Sequence, residues 1–168
     1  PDSKVKYAIQ SINIQSGIFC LMKDRFQDII WVGADGQGIY MYFTDEFSIE
    51  NVLLDVPEYR VNNPVRALFL DHEQTLWIGT KGGGILRMMD FHPDRETLPQ
   101  AERILANNSA LMDNSVYSFA PGRRNSLWIG TEDGLNYYSY LTRRIEEFPV
   151  IADGKKVKYV HSICETND

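Results

Sequence analysis

The stretch Leu76-Trp77-Ile78-Gly79-Thr80 returns unchanged as Leu127-Trp128-Ile129-Gly130-Thr131, and in a looser form as Ile30-Trp31-Val32-Gly33-Ala34. Working outward from these runs, longer copies align from Ile18, Val65 and Val116, and a further copy opens at Val160 with VHSICETND. The copies recur about every 45 to 50 residues, the period of units that hold several short strands each. Each unit reads as a short apolar strand such as Val65–Leu70, a polar turn, the tryptophan strand Leu76–Thr80, a glycine-rich hairpin and a third strand Ile85–Met89. A fourth, less regular strand is expected at Arg103–Ala106. β-branched and aromatic enrichment, with glycine punctuation and no sustained helical period, favours strands throughout. Pro99–Met112 accordingly reads as outer strand plus linker rather than helix.

The expected fold is all-β. It is a partial β-propeller of about three four-stranded blades with strands of the flanking blades, divided as residues 1–15, 16–62, 63–113, 114–157 and 158–168. The first of these pieces would carry an outer strand near Tyr7–Ile12, and the last an inner strand from Val160. Residues present in every copy explain architecture. Trp31, Trp77 and Trp128 are expected to fill the wedge between neighbouring blades. Gly33, Gly79 and Gly130 are expected where another backbone or side chain comes close, and Gly36, Gly83 and Gly134 where the hairpin needs positive φ.

These motifs resemble the two-component regulator propeller repeat, whose units combine an apolar strand, an acidic turn, Leu-Trp-Ile-Gly-Thr and a glycine-rich hairpin. Asp24 and Asp71 match the acidic position, and Gly82-Gly83-Gly84-Ile85 and Asp133-Gly134-Leu135-Asn136 match two common hairpin endings. Three features depart from the family. The glycine usual in the turn before the tryptophan is missing from all three copies, the first copy has Val32 and Ala34, and the third has Pro121. The resemblance implies a periplasmic, non-catalytic sensing region of a membrane-bound hybrid histidine kinase of Bacteroidetes type, detecting oligosaccharides, with kinase and membrane span outside this chain. A structural or protein-interaction propeller of a secretion or adhesion system is the alternative, and a propeller lyase or glycosidase the third.

The 168 residues are 43% hydrophobic with a formal net charge of -6. That balance argues against a nucleic-acid partner, which needs a basic footprint, and no apolar run is long enough to span a bilayer. No metal or cofactor is expected. His72, His92 and His161 are isolated, and Cys20 and Cys164 are far apart in sequence. Gly79–Gly84 is followed by a strand rather than the helix that a phosphate loop needs. Asp24 and Asp71 read as turn caps before metal ligands.

One column varies where its neighbours hold. The second residue of the inner strand is Phe19, Arg66, Tyr117 and His161, between conserved-character flanks Ile18, Val65, Val116 and Val160 and small residues Cys20, Ala67, Ser118 and Ser162. Inner strands border a propeller's central channel. Arginine and aromatic rings suit carboxylate and sugar recognition, so these four are the candidate ligand-binding residues. A tolerant, drifting position is the plain alternative. Three blades leave open faces, so self-association or pairing with further blades is expected.

Overall fold

The computed structural model describes residues 11–52, 57, 60–92, 100–123 and 125–166. Three antiparallel four-stranded sheets follow one another in strict chain order. The first holds β1 (Ile18–Lys23), β2 (Ile29–Ala34), β3 (Ile39–Phe43) and β4 (Ser48–Asn51). The second holds β5 (Val65–Leu70), β6 (Leu76–Thr80), β7 (Ile85–Met89) and β8 (Gln100–Ile104), and the third β9 (Val116–Gly122), β10 (Ser126–Thr131), β11 (Gly134–Ser139) and β12 (Arg144–Phe148). A small exposed hairpin, β13 (Ile151–Ala152) with β14 (Lys155–Lys156), ends the described strands. The sheets meet along their inner strands, β1 on β5 and β5 on β9, and where β2 and β6 face the next inner strand. This is the meander of propeller blades, present here as an open arc of three.

The repeated residues hold the blades together. A Cβ at Gly33 would lie 2.7 Å from Val65 Cγ1, and one at Gly79 2.8 Å from Val116 Cγ1. The glycine of each tryptophan strand is therefore the seat for the first valine of the next inner strand, and both valines are fully buried. Trp31 packs edge-on against Phe91 of the second blade, and Trp77 against Tyr138 and Phe119 of the third. Two apolar cores result. One joins Trp31, Ile39 and Met41 to Leu76, Ile78 and Met88, and the other joins Trp77 and Ile85 to Leu127, Ile129 and Tyr138.

Four details differ from the expectation. The outer strand of the second blade is Gln100–Ile104, shifted toward the N-terminus from Arg103–Ala106, because Leu105 and Ala106 instead turn against the side chains of Asn108 and Asn114. In the second hairpin positive φ falls on Gly82 (+85°) and Gly84 (+68°), not on Gly83. The wedge role of Trp128 is not met among the described residues. Its ring rests on Tyr137 and Phe148 of its own blade and stays half-exposed, since no later ring covers it.

The fourth difference is at Val160, whose segment forms no strand. It docks as extended chain, the Val160 amide donating to the Thr131 carbonyl (3.0 Å) and its carbonyl accepting from Ser118 Oγ (3.0 Å). It takes the seat at Gly130, where a Cβ would lie 2.9 Å from Val160 Cγ1, but no second strand pairs with it. The outer strand expected near Tyr7–Ile12 lies largely outside the described residues.

Candidate functional site

The varying column occupies a β-bulge in every blade. Ile18 faces Ala34 and Cys20 faces Gly33, leaving Phe19 without an opposite residue. Val65 faces Thr80 and Ala67 faces Gly79, leaving Arg66 over. Val116 faces Thr131 and Ser118 faces Gly130, leaving Tyr117 over. A bulged residue is released from the ladder and its side chain is re-aimed, a device concentrated near functional sites. The flanking residues keep the register that seats valine on glycine, and the extra residue between them is free to vary.

The four candidate side chains form two contacts in series. The Arg66 guanidinium lies over the Phe19 ring, 3.9 Å from its centroid, as a cation–π pair. Tyr117 stacks on His161 with centroids 4.4 Å apart. Arg66 and Tyr117 are half-buried, and Phe19 and His161 are exposed. The Arg66 Nε is buried without a hydrogen-bond partner. The Tyr117 hydroxyl donates to Glu132 Oε2 at 2.9 Å. Burial, and then the Glu132 carboxylate, push the Tyr117 phenol up, so it stays a donor at neutral pH. The row offers flat apolar faces beside N–H donors. It can grip rings and carboxylates, and it holds no nucleophile–base pair.

At the other end of the inner strands, the aspartates of the acidic turn do more than cap. Asp24 Oδ1 accepts from the backbone amides of Phe26 (2.7 Å) and Gln27 (3.0 Å), while Oδ2 accepts from Trp31 Nε1 (2.9 Å). Asp71 repeats this with the amides of Glu73 and Thr75 (2.9 Å each) and Trp77 Nε1 (2.8 Å). It also accepts from the Tyr140 hydroxyl of the third blade at 3.0 Å. The carboxylates are thus filled by structural donors. Among the described residues no group of three or more His, Cys, Asp or Glu could hold a metal ion. Sequence reading placed these aspartates in the turn but missed the indole and Tyr140 bonds; an aspartate six or seven residues ahead of the tryptophan in both copies was the available signal. The third copy has Gly122 here, and among the described residues Trp128 Nε1 has no carboxylate partner.

The turn also accounts for the glycine missing from it. Gln74 and Asn125, three residues before their tryptophans, adopt φ of +61° and +59°. In the second and third copies the left-handed backbone that the family's glycine would supply is kept, without the glycine.

Residues 60–82 and 110–133 match the sequence pattern of the two-component regulator propeller. Each matched stretch holds one bulged inner strand and its Trp-Ile-Gly strand. Over these two stretches the chain is similar to the two-component regulator propeller repeat. Histidine kinase P4 of Formosa agariphila is 27% identical over 161 residues, which is 94% of this chain and 11% of that relative. Among solved structures, the extracellular domain assigned to a hybrid two-component system of B. thetaiotaomicron superposes with a TM-score of 0.65 at 19% identity. That match covers 88% of this chain and 20% of the other. The WD40 repeats of RRP9 superpose with a TM-score of 0.57 at 13% identity, over 81% of this chain and 39% of theirs. Likeness at these identities establishes the propeller fold. The chain spans about a tenth of the kinase and a fifth of the extracellular domain it resembles. Within the regulator propeller repeat, Arg66 and Tyr117 lie inside the matched stretches, whereas Phe19 and His161 lie in copies that the pattern does not reach.

Proposed function

We propose that this regulator propeller segment is a non-catalytic, extracytoplasmic sensing element of a two-component histidine kinase, and that the bulge row Phe19, Arg66, Tyr117 and His161 contacts an oligosaccharide ligand. The observation that carries the reading is the bulge repeated in three consecutive blades, which keeps the packing residues in register and presents one free side chain per blade. Rings with adjacent cationic and hydroxyl donors match the two faces of a sugar, apolar C–H surfaces and polar edges. Location outside the cytoplasm draws support from the likeness to the B. thetaiotaomicron extracellular domain, and coupling to a kinase from the likeness to histidine kinase P4. Binding would act by favouring one of two arrangements of the receptor.

Calorimetric titration of the receptor ectodomain that carries this segment, with oligosaccharides of defined length, tests the reading. Saturable binding to one glycan class, weakened about tenfold by Arg66→Ala or Tyr117→Ala, is the expected outcome. No binding by a folded protein would favour the second reading, a protein-interaction propeller. The half-exposed aromatic group Trp128, Tyr137 and Phe148 on the third blade would then be its natural contact.

A further inference from the structure

Most arginines of the blades are held by acceptors. Arg87, Arg123 and Arg143 pair with Glu102, Glu165 and Glu73, and Arg25 and Arg103 donate to main-chain carbonyls. Arg66 is different. It is half-buried at the bulge of the second blade, and among the described residues no carboxylate pairs with it and no acceptor takes its N–H groups. The Phe19 ring, its centroid 3.9 Å from the guanidinium carbon, covers one side of it. Nε alone of its side-chain nitrogens is buried, so the two terminal nitrogens reach solvent with their donors free.

The carboxylate bonded to the row does not serve this charge. Glu132 Oε2 accepts from the Tyr117 hydroxyl at 2.9 Å and forms no ion pair with Arg66. Arg66 nevertheless stands within electrostatic reach of Tyr117. Burial and Glu132 push the Tyr117 phenol up, and the Arg66 charge pulls against them. The free guanidinium thus has aromatic groups of both neighbouring blades beside it, Phe19 before it and Tyr117 stacked on His161 after it.

A half-buried charge loses solvation, and a counter-ion that forms charge-assisted hydrogen bonds restores what is lost. A neutral sugar can accept from the N–H groups but leaves the charge uncompensated. A carboxylate sets its two oxygens against the two terminal nitrogens, the bidentate geometry that a guanidinium favours. One unpaired cation is matched by one negative charge. A uronic acid carries that charge on a ring whose apolar C–H face can lie on an aromatic side chain.

We infer that the sugar taken by the bulge row is acidic, a uronic acid whose carboxylate pairs with the terminal nitrogens of Arg66 while its ring lies along the aromatic groups on either side. This deepens, and rests on, the reading of the row as an oligosaccharide site.

The test is calorimetric titration of the receptor ectodomain with trisaccharides of galacturonate, glucuronate and mannuronate. Each is run beside its carboxyl-reduced counterpart, in which a neutral hydroxymethyl group replaces every carboxylate. At least one acid should bind about tenfold tighter than its reduced form. Raising sodium chloride from about 50 to about 500 mM should weaken the acid and leave the reduced sugar unchanged. Arg66→Gln should bring the acid down to the affinity of the reduced form. Arg144→Gln removes an exposed arginine of β12 that also lacks an ion pair among the described residues, and should change neither sugar. Equal binding of acid and reduced sugars, or an acid preference that survives Arg66→Gln, overturns this inference and leaves the oligosaccharide reading standing. No binding of any sugar, acidic or neutral, by a folded ectodomain overturns both.

Discussion

At the residue scale, a few side chains join the copies. Asp71 holds two amides, an indole and a tyrosine hydroxyl from another blade. Asp71→Ala should leave these buried donors unpaired and lower stability by about 3 kcal/mol or more, read from urea unfolding. Gly130→Ala places a methyl 2.2 Å from Ser118 Oγ and 2.4 Å from the Val160 carbonyl. The expected cost is about 1–3 kcal/mol, from overpacking. Gln74→Gly works in the other direction. It relieves a left-handed non-glycine residue (φ +61°) and should stabilise by about 1 kcal/mol in the same assay. The thiols separate as well. Burial pushes Cys20 up to about 11, so it stays protonated at neutral pH and should react with a disulfide reagent far more slowly than exposed Cys164.

At the scale of elements, the bulged inner strand is the unit that repeats. Register demands that valine reach the glycine of the previous blade, and the extra residue absorbs whatever side chain function requires. That division explains why Phe19, Arg66, Tyr117 and His161 vary between constant flanks. The column was legible in the sequence because its neighbours hold character. The bulge itself was not, because alignment of copies shows which residues correspond and not which face one another across a ladder.

The closing hairpin β13–β14 is tied back by Lys156 and Lys158, each with Nζ 2.7 Å from an Asp133 carboxylate oxygen. These lysines hold the Asp133 carboxyl down at about 2. A depressed carboxyl pKa means that the tether is fully present above the ordinary aspartate range and is lost as pH falls through about 2. Carboxyl NMR titration should find that midpoint, moved upward by Lys156→Ala.

At the scale of the molecule, three blades form an arc with two open faces. Trp31 and Trp77 are sealed by the next blade, whereas Trp128 is half-exposed beside Phe148, which is 44% exposed. Leu21 and Phe26 of the first blade are also exposed. Apolar sheet faces of this kind associate. The chain at tens of micromolar should sediment as a concentration-dependent oligomer, and a tight monomer across that range would contradict the expectation.

The sequence by itself determined the period, the strand order within each blade, the tryptophan and glycine columns and the candidate row, because each is written within a single copy and then repeated. Local turn chemistry and strand patterning need no partner from elsewhere in the chain. Only the tertiary structure decided the rest. The Asp71–Tyr140 bond and the Glu73–Arg143 pair each join residues of different blades, and Tyr140 and Arg143 stand outside the repeated motif. Their physical basis is the angle at which one sheet packs on the next, and residue spacing along the chain carries no record of it.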